Sequence, residues 1–376
     1  MRKIIEGIEV SKIRQIALKM RDFKDGIDFT IGEPSQDIPQ IIKDEMIDKI
    51  KNVKIGYSTT GGMIELREKI AKYYNKYFGS NYDMKNCIIT IGATEGIAVF
   101  CRAVLEENDE VLVPLPAYPG YEPNILMEGA KPVYIDTKDN GFKVTAKMLE
   151  DNITDKTKAI VLTYPNNPTG VCLSEKEMDK IADVIRKNNV YLLCDEIYAA
   201  LAFEKFHSIA KYQDIEDKVV IISGFSKSHS MTGYRIGYML SSSKNIANLI
   251  KASQYTTTGT ATLSQYGAMV ALEKCLDRSE VIKQNKERVD YMVKGLEKLG
   301  FSVIKPEGAF YVFASYSKIS NKDSLSFCTE ILENTHVGIV PGICFNVEGY
   351  VRLSVIKDIP ELDEALNRLE KYFKGI

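Results

Sequence analysis

The stretch from Ser223 to Tyr238 combines a lysine, small hydroxyl residues and an arginine at spacings that suit carbonyl chemistry. The apolar run at 219–222 predicts a buried strand that ends at Ser223. Lys227 would then lie just past the carboxyl end of a strand, where open α/β sheets bind ligands. A lysine amine attacks carbonyl carbons when a dry pocket or a neighbouring cation disfavours its protonated form. We therefore predict that Lys227 is a covalent catalytic centre.

Ser226 and Arg235 flank this lysine with a hydroxyl and a fork of donors, both suited to a phosphate monoester. A reactive lysine beside a phosphate site suggests pyridoxal phosphate, a phosphorylated aldehyde. The turn at Gly92–Glu95 is a second phosphate candidate, because it opens a predicted helix whose first amides are free. It lacks the P-loop pattern, and no G-x-G-x-x-G follows a strand, so a nucleotide enzyme is disfavoured. An isolated serine–lysine pair is more often a solvated loop, so the other motifs must decide.

Four further candidates lie at or just after predicted strand ends. Asp195 follows the apolar run 190–194, and a buried carboxylate needs a partner; a protonated pyridine nitrogen would be one. Tyr198 is near enough in sequence to reach the oxygen of the same ring, and the amide of Asn167 could do so too. Tyr118 could stack on the ring, with ordinary packing as an equal alternative.

Two residues point to the substrate. Arg352 sits among apolar residues at alternating spacing, so it needs an anion, either a substrate carboxylate or a structural salt bridge. Gly32 could let a ligand approach the backbone, although a glycine before Glu-Pro is more often a turn.

Composition excludes several classes of function. The 376 residues are 45% hydrophobic and 27% charged, and 49 basic against 51 acidic residues give a net charge of −2, so we expect no nucleic-acid or membrane partner. The seven cysteines show no metal-binding or disulfide spacing, which predicts no metal site and a cytoplasmic location. The first 20 residues carry charges throughout, unlike a signal peptide or anchor.

The element pattern predicts an α/β fold. From residue 87 strands alternate with helices, which indicates a mostly parallel sheet, while 234–240 follows 219–223 too closely for a helical crossover and should pair antiparallel or not at all. Residues 1–25 read as one amphipathic helix, and 301–376 as a smaller α+β unit. We predict an N-terminal arm with part of the small domain at 1–46, a large cofactor-binding domain at 47–280 and a C-terminal small domain at 281–376.

A set of short motifs occurs in order along the whole chain: Ile31-Gly-Glu-Pro34, Gly56-Tyr57 with Glu65-Leu-Arg67, Gly92-Ala-Thr-Glu95, Pro116-Ala-Tyr118, Asn166-Asn-Pro-Thr-Gly170, Asp195-Glu-Ile-Tyr198, Ser226-Lys227 with Met231-Thr-Gly-Tyr-Arg235, Pro306-Glu-Gly-Ala-Phe-Tyr311 and Val351-Arg-Leu-Ser354. With this set the chain resembles the class I/II pyridoxal-phosphate aminotransferases of fold type I, subgroup I-gamma. The resemblance implies a large domain with a mostly parallel seven-stranded sheet, a smaller α+β domain, and amino transfer between an L-amino acid and a 2-oxo acid, with glutamate and 2-oxoglutarate as the expected pair.

The resemblance also implies roles for particular residues. Lys227 would bond to the cofactor and move the substrate's α-proton, and Asp195 would pair with the ring nitrogen. The other implied cofactor contacts are Tyr198 and Asn167 to the ring oxygen, Tyr118 stacked on the ring, and Ala93, Thr94, Ser226 and Arg235 on the phosphate. Tyr57 would reach the phosphate of a neighbouring subunit, which implies a homodimer with shared active sites. Arg352, Asn167 and the Gly32 backbone would hold the substrate.

Two departures from the family pattern matter. Aspartate-specific members of this subgroup carry a lysine in the position of Thr94, so the neutral threonine argues against plain aspartate specificity. Tyr234 replaces the tryptophan common before the phosphate arginine, a change of ring that should leave the chemistry intact.

Three alternatives remain at this point. A pyridoxal-phosphate lyase of the C–S β-lyase type would share every cofactor residue, and an aromatic or alanine-type aminotransferase would differ only in the side-chain pocket. A regulator that kept the fold would need a DNA-binding segment, and the N-terminal residues are neither long nor basic enough to provide one.

Overall fold

The computed structural model describes residues 1–375, which form a large mixed sheet flanked by helices and a smaller α+β unit. The strands are β1 Ile27–Asp28, β2 Cys87–Thr90, β3 Glu110–Leu115, β4 Lys131–Asp136, β5 Thr157–Thr163, β6 Tyr191–Asp195, β7 Val219–Gly224, β8 Gly237–Leu240, β9 Ser302–Val303, β10 Tyr311–Ser315, β11 Val337–Gly338, β12 Val340–Pro341 and β13 Tyr350–Ser354. The helices are α1 Lys3–Glu6, α2 Lys12–Lys19, α3 Gln40–Asn52, α4 Ile64–Phe78, α5 Gly92–Val104, α6 Tyr121–Met127, α7 Ala146–Asn152, α8 Glu175–Lys187, α9 Ser243–Thr257, α10 Thr262–Lys274, α11 Ser279–Lys298, α12 Ser324–Thr335 and α13 Ile359–Lys374.

The large sheet has seven strands in the order β2-β8-β7-β6-β5-β3-β4. Its strands are parallel except β8, which runs antiparallel to both β2 and β7. The predicted mostly parallel seven-stranded sheet is therefore confirmed, and β8 is the antiparallel neighbour of β7. Two parallel neighbours need a helical crossover, and the link between β7 and β8 is too short for one. Adjacent strands β7 and β8 must therefore pair antiparallel.

Both faces of this sheet are buried, which explains the unbroken apolar runs in its strands. Along β5, Ile160 and Leu162 pack on one face, where α8 contributes Ile181, while Ala159 and Val161 pack on the other. Helix α8 begins at a capping box, in which the Ser174 and Glu177 side chains each accept from the other's backbone amide. Truncating a core residue such as Ile160 to alanine would cost about 2–5 kcal/mol.

The smaller unit is built on a four-stranded antiparallel sheet in the order β12-β13-β10-β9, with α11 and α13 packed in the same core. The short strand β1 pairs with β11, so residues 27–28 belong with this C-terminal core. Ile42 and Met46, in contrast, pack in the core of the large sheet. The predicted division of the chain at residues 46 and 280 stays a prediction.

The prediction of one continuous helix over residues 1–25 is wrong. Helix α1 ends at Glu6, and the chain becomes helical again only at Lys12. In α2, Ile16 packs with Met20 against Leu332 of α12, and this packing supplies the periodic signal. No buried residue holds α1, so the first turn has nothing to extend it.

Candidate active site

A cavity of about 660 Å³ opens at the carboxyl ends of the large-sheet strands, facing the smaller unit. This is within the usual range for small-molecule sites. All of the predicted site residues except Tyr57 line it: Gly32, Ala93, Thr94, Tyr118, Asn167, Asp195, Tyr198, Ser226, Lys227, Arg235 and Arg352. These residues come from separate loops, so the fold brings them together.

Lys227 lies three residues beyond the end of β7, and its Nζ donates to the carbonyl oxygen of Gly32 at 2.5 Å. Burial lowers the pKa of this lysine to about 8, with the charge of Glu33 opposing the shift and the positive charges of Arg352 and Arg235 adding to it. About a tenth of Lys227 is therefore an uncharged amine at pH 7, and about half at pH 8. This is the state in which lysine attacks a carbonyl carbon or accepts a proton.

Asp195 ends β6 and is buried. Its Oδ2 accepts from the hydroxyl of Tyr121 at 2.7 Å, and its Oδ1 accepts from the amide of Ile197 at 3.1 Å. Burial nevertheless raises the pKa of Asp195 to about 6, against the effect of these donors. An ionised carboxylate has about four acceptor positions, so room remains here for a third donor such as a ring N–H.

Arg235 reaches the start of α5 from a left-handed backbone conformation, with φ at 49°. A Cβ on Gly92 would come within 2.7 Å of its Nη2, so glycine is required for this approach. The guanidinium also donates to the carbonyl oxygen of Thr232 at 2.8 Å. The first amides of α5, at Ala93 and Thr94, have no intrahelical acceptor and add partial positive charge. The result is an anion cradle at the predicted phosphate position.

Arg352 is buried in β13, and its guanidinium lies over the ring of Tyr311 at 4.9 Å. It donates to the carbonyl oxygen of Thr30 at 2.5 Å and to Oδ1 of Asn167 at 3.4 Å, while its buried Nε has no partner. Within residues 1–375 no carboxylate lies at ion-pair distance from it, so the structural salt bridge considered above is not found. A buried, incompletely paired guanidinium is suited to a ligand carboxylate.

Tyr198 and Tyr311 share a hydrogen bond of 2.6 Å between their hydroxyls at the wall of the cavity. The Tyr311 hydroxyl occupies the space beside Gly32, where a Cβ would lie 2.4 Å from it. Gly32 therefore does more than form a turn, because it both admits this phenol and supplies the carbonyl that holds Lys227.

Tyr57 is the predicted site residue that lies outside the cavity. Its side chain is 95% exposed and reaches no other predicted site residue of the same chain. Its loop is nevertheless ordered by neighbours, since Thr262 donates to the carbonyl of Gly56 at 2.6 Å and Gln265 to Ser58 at 2.9 Å.

Sequence reasoning missed three residues of this site. Tyr121 pairs with Asp195, Tyr311 packs on Arg352, and Arg14 of α2 lines the cavity. Tyr311 ends one of the motifs quoted above and could have been found there. Tyr121 and Arg14 carried no such signal, because a lone tyrosine at a helix start and a lone arginine on an amphipathic helix are ordinary.

No helix among the described residues is long and apolar enough to cross a membrane. Over the same residues no cluster of three or more histidine, cysteine or acidic side chains could hold a metal ion.

The family of the chain follows from comparison with known proteins. The model for aminotransferase class I and II matches residues 24–369, so the chain belongs to that family. The enzymes of this family depend on pyridoxal phosphate, and this chain is an amino-acid aminotransferase with the fold type I architecture expected from its motifs.

Individual relatives span nearly the whole chain. A probable N-acetyl-LL-diaminopimelate aminotransferase of Bacillus subtilis is 40% identical over 97% of this chain and 93% of its own. The crystal structure of an aspartate aminotransferase from Thermotoga maritima superposes with a TM-score of 0.94 at 33% identity, covering 100% of both chains. The aspartate aminotransferase of Thermus thermophilus, solved with maleate, has a TM-score of 0.94 at 28% identity over 99% of each chain.

Proposed function

We propose that this chain binds pyridoxal phosphate at Lys227 and transfers amino groups between an L-amino acid and a 2-oxo acid, with glutamate and 2-oxoglutarate as one substrate pair. The observation that carries the proposal is the buried Lys227, with its lowered pKa, in one cavity with Asp195 and Arg352. Lys227 has a lowered pKa, Asp195 a raised pKa and Arg352 an unpartnered Nε, and a bound cofactor and substrate would give each of them a partner.

The residues of the cavity fit this cofactor. Asp195 would hold the ring nitrogen, Tyr198 and Asn167 the ring oxygen, and Tyr118 would lie against the ring. Ala93, Thr94, Ser226 and Arg235 would hold the phosphate, in the cradle that a side chain at position 92 would fill. Bound there, the cofactor supplies an electron sink that stabilises negative charge at the substrate's α-carbon.

The protein's own groups would orient the substrate and move its proton. Arg352 would bind the α-carboxylate in the part of the cavity that it lines, with Asn167 beside it and the Gly32 backbone at the same end of the site. Lys227, as an uncharged amine, would remove the proton from the α-carbon. Its pKa of about 8 suits this work near neutral pH.

For the second substrate we propose N-acetyl-LL-diaminopimelate, which would place the enzyme in lysine biosynthesis. The support is the name of the Bacillus subtilis relative, at 40% identity over 97% of this chain. The neutral Thr94 agrees with a substrate other than plain aspartate, although other relatives of lower identity are named aspartate aminotransferases.

We further propose a homodimer that shares its active sites through Tyr57. Apolar side chains exposed around this residue support an interface, among them Ile50, Val53 and Ile55 before it and Tyr255 at the end of α9. The described cysteines are all unpaired, which agrees with the reducing cytoplasm that we propose as its location.

The test is an absorbance spectrum of the purified protein with pyridoxal phosphate, before and after addition of glutamate. We expect a visible band that glutamate shifts to the near ultraviolet and that 2-oxoglutarate restores. Lys227→Ala should lose the covalently held band, while the matched control Lys244→Ala, at an exposed position of α9, should keep it. Absence of any bound chromophore in the wild type would refute the proposal, and release of pyruvate or ammonia without a keto-acid requirement would favour the lyase.

A further inference from the structure

One positively charged side chain that lines the cavity, Arg14, has no role in the proposed chemistry. The charged lining residues of the cavity are Arg14, Lys227, Arg235 and Arg352 against Asp195. Lys227 is assigned to the cofactor aldehyde, Arg235 to the phosphate and Arg352 to the substrate's α-carboxylate. Arg14 has no such assignment, and no hydrogen bond or ion pair joins its side chain to any other of the residues 1–375.

The position of Arg14 is fixed by the packing of its helix. Ile16 of α2 and Met20, directly after the helix, are buried against Leu332. Gly338 makes room for Met20, since a Cβ there would lie 2.4 Å from its sulfur. With that face of α2 anchored, Arg14 is presented to the cavity together with Ile13 and Ala17, at helical spacings that share one side.

Arg14 and Arg352 serve different parts of the cavity. Arg352 is surrounded by Thr30, Asn167 and Tyr311. Arg14 instead lies near Tyr118: burial and Asp195 raise the pKa of this phenol, and the charges of Arg235 and, to a smaller extent, Arg14 lower it. A substrate held by its α-carboxylate at Arg352 would therefore meet a second, separate cation only if its side chain ends in an anion.

We propose that Arg14 binds the distal carboxylate of a dicarboxylic substrate and is a specificity-determining residue of this enzyme. The inference rests on the proposed function, whose substrate class it narrows. Glutamate, 2-oxoglutarate and N-acetyl-diaminopimelate each carry a second carboxylate, so one arginine serves both halves of the exchange. An arginine–carboxylate pair of this kind adds discrimination against side chains that end in a neutral group.

The experiment measures binding of two non-reacting acids to the holoenzyme by calorimetry: glutarate, with two carboxylates, and pentanoate, with one. Arg14→Gln should weaken glutarate binding by about 10- to 100-fold, as expected for loss of a charged hydrogen-bonded pair, and change pentanoate binding by less than about 2-fold. Arg14→Lys should recover part of the glutarate affinity. The matched control is Arg21→Gln, which removes an exposed arginine of the same segment that does not line the cavity.

Kinetics supply a second reading of the same variants. In Arg14→Gln the KM for 2-oxoglutarate should rise while kcat stays within about 2-fold, because the pair is made in the ground state and the transition state alike. Equal glutarate affinity in the wild type and Arg14→Gln would overturn the inference, as would a wild type that prefers pentanoate. A wild type that binds glutarate through Arg14 but transfers no amino group would instead refute the proposed function and leave the inference standing.

Discussion

Asp195 should make the cofactor-free protein less stable as the pH rises. Burial raises its pKa in the folded chain to about 6 from an ordinary value of 3.8. Well below pH 3.8 the carboxyl is protonated in both the folded and the unfolded chain, so it imposes no penalty. As the pH rises through the window from about 4 to 6 the unfolded chain ionises first, and the folded state loses relative stability until it ionises too.

The size of this effect follows from the two pKa values. Their difference of about two, at 1.36 kcal/mol for each, gives about 3 kcal/mol in all, of which about 2.4 kcal/mol is lost between pH 4 and pH 7. Asp195→Asn cannot ionise and should lack this loss. The asparagine imposes its own cost through an amide that lacks acceptors, but this cost does not vary with pH and drops out when the slopes are compared.

The assay is urea unfolding of the cofactor-free protein, at one protein concentration, from pH 4 to pH 8. The free energy of unfolding of Asp195→Asn relative to wild type should rise by about 2.4 kcal/mol across this range. Asp155→Asn, at an exposed position, should follow the wild type throughout. If the free energy of unfolding changed with pH in the same way for Asp195→Asn and wild type, the pKa of Asp195 would not be raised in the folded chain. The argument that this carboxyl needs a partner would then fail.

Three more outcomes follow from the same geometry. Gly32→Ala should lower kcat/KM by at least about tenfold because its Cβ displaces the Tyr311 hydroxyl, whereas Gly7→Ala, which meets ordinary contacts, should have no effect; equal activity of the two would contradict the packing argument. The rate at which the cofactor-free protein gains its visible band should rise with pH and level off above about 8, where Lys227 is deprotonated, and a flat profile would contradict the lowered pKa. Refolding Tyr57→Phe together with Lys227→Ala should restore up to about a quarter of wild-type activity, because half the dimers are hybrids with one intact site, and no gain over the separate variants would argue against shared sites.

The strands and their ligand-binding ends were predictable from local sequence. Apolar runs such as 219–222 mark buried parallel strands, and a functional residue placed just after such a run lies at the carboxyl edge of the sheet. Lys227 and Asp195 were found in this way. What the pattern could not give is the contact between them and residues far along the chain, such as the hydrogen bond that joins Tyr121 to Asp195 across 74 positions.

The N-terminal segment was predicted least well, and the reason is physical. Periodicity reports that one face of a segment is apolar but does not report where the chain stops being helical. The apolar face of this segment is evident in Ile16 of α2 and in Met20 just after it, yet the break before Lys12 depends on α1 having no buried contact. The charge of Arg14 could not be read as functional until the fold placed it on the cavity.

The same cavity also explains why stability and chemistry oppose each other here. Asp195 is held with a raised pKa, Lys227 with a lowered one and Arg352 with an unpartnered Nε, and each of these states disfavours the folded chain. A ligand set that supplies a ring N–H, an aldehyde and a carboxylate would relieve all three. Because ligands that bind only the folded chain stabilise it by mass action, the melting temperature should rise first with pyridoxal phosphate and again with glutarate. If pyridoxal phosphate raised the melting temperature but glutarate did not raise it further, the stabilisation would come from Asp195 and Lys227. The proposed role of Arg352 in binding a carboxylate would then be contradicted.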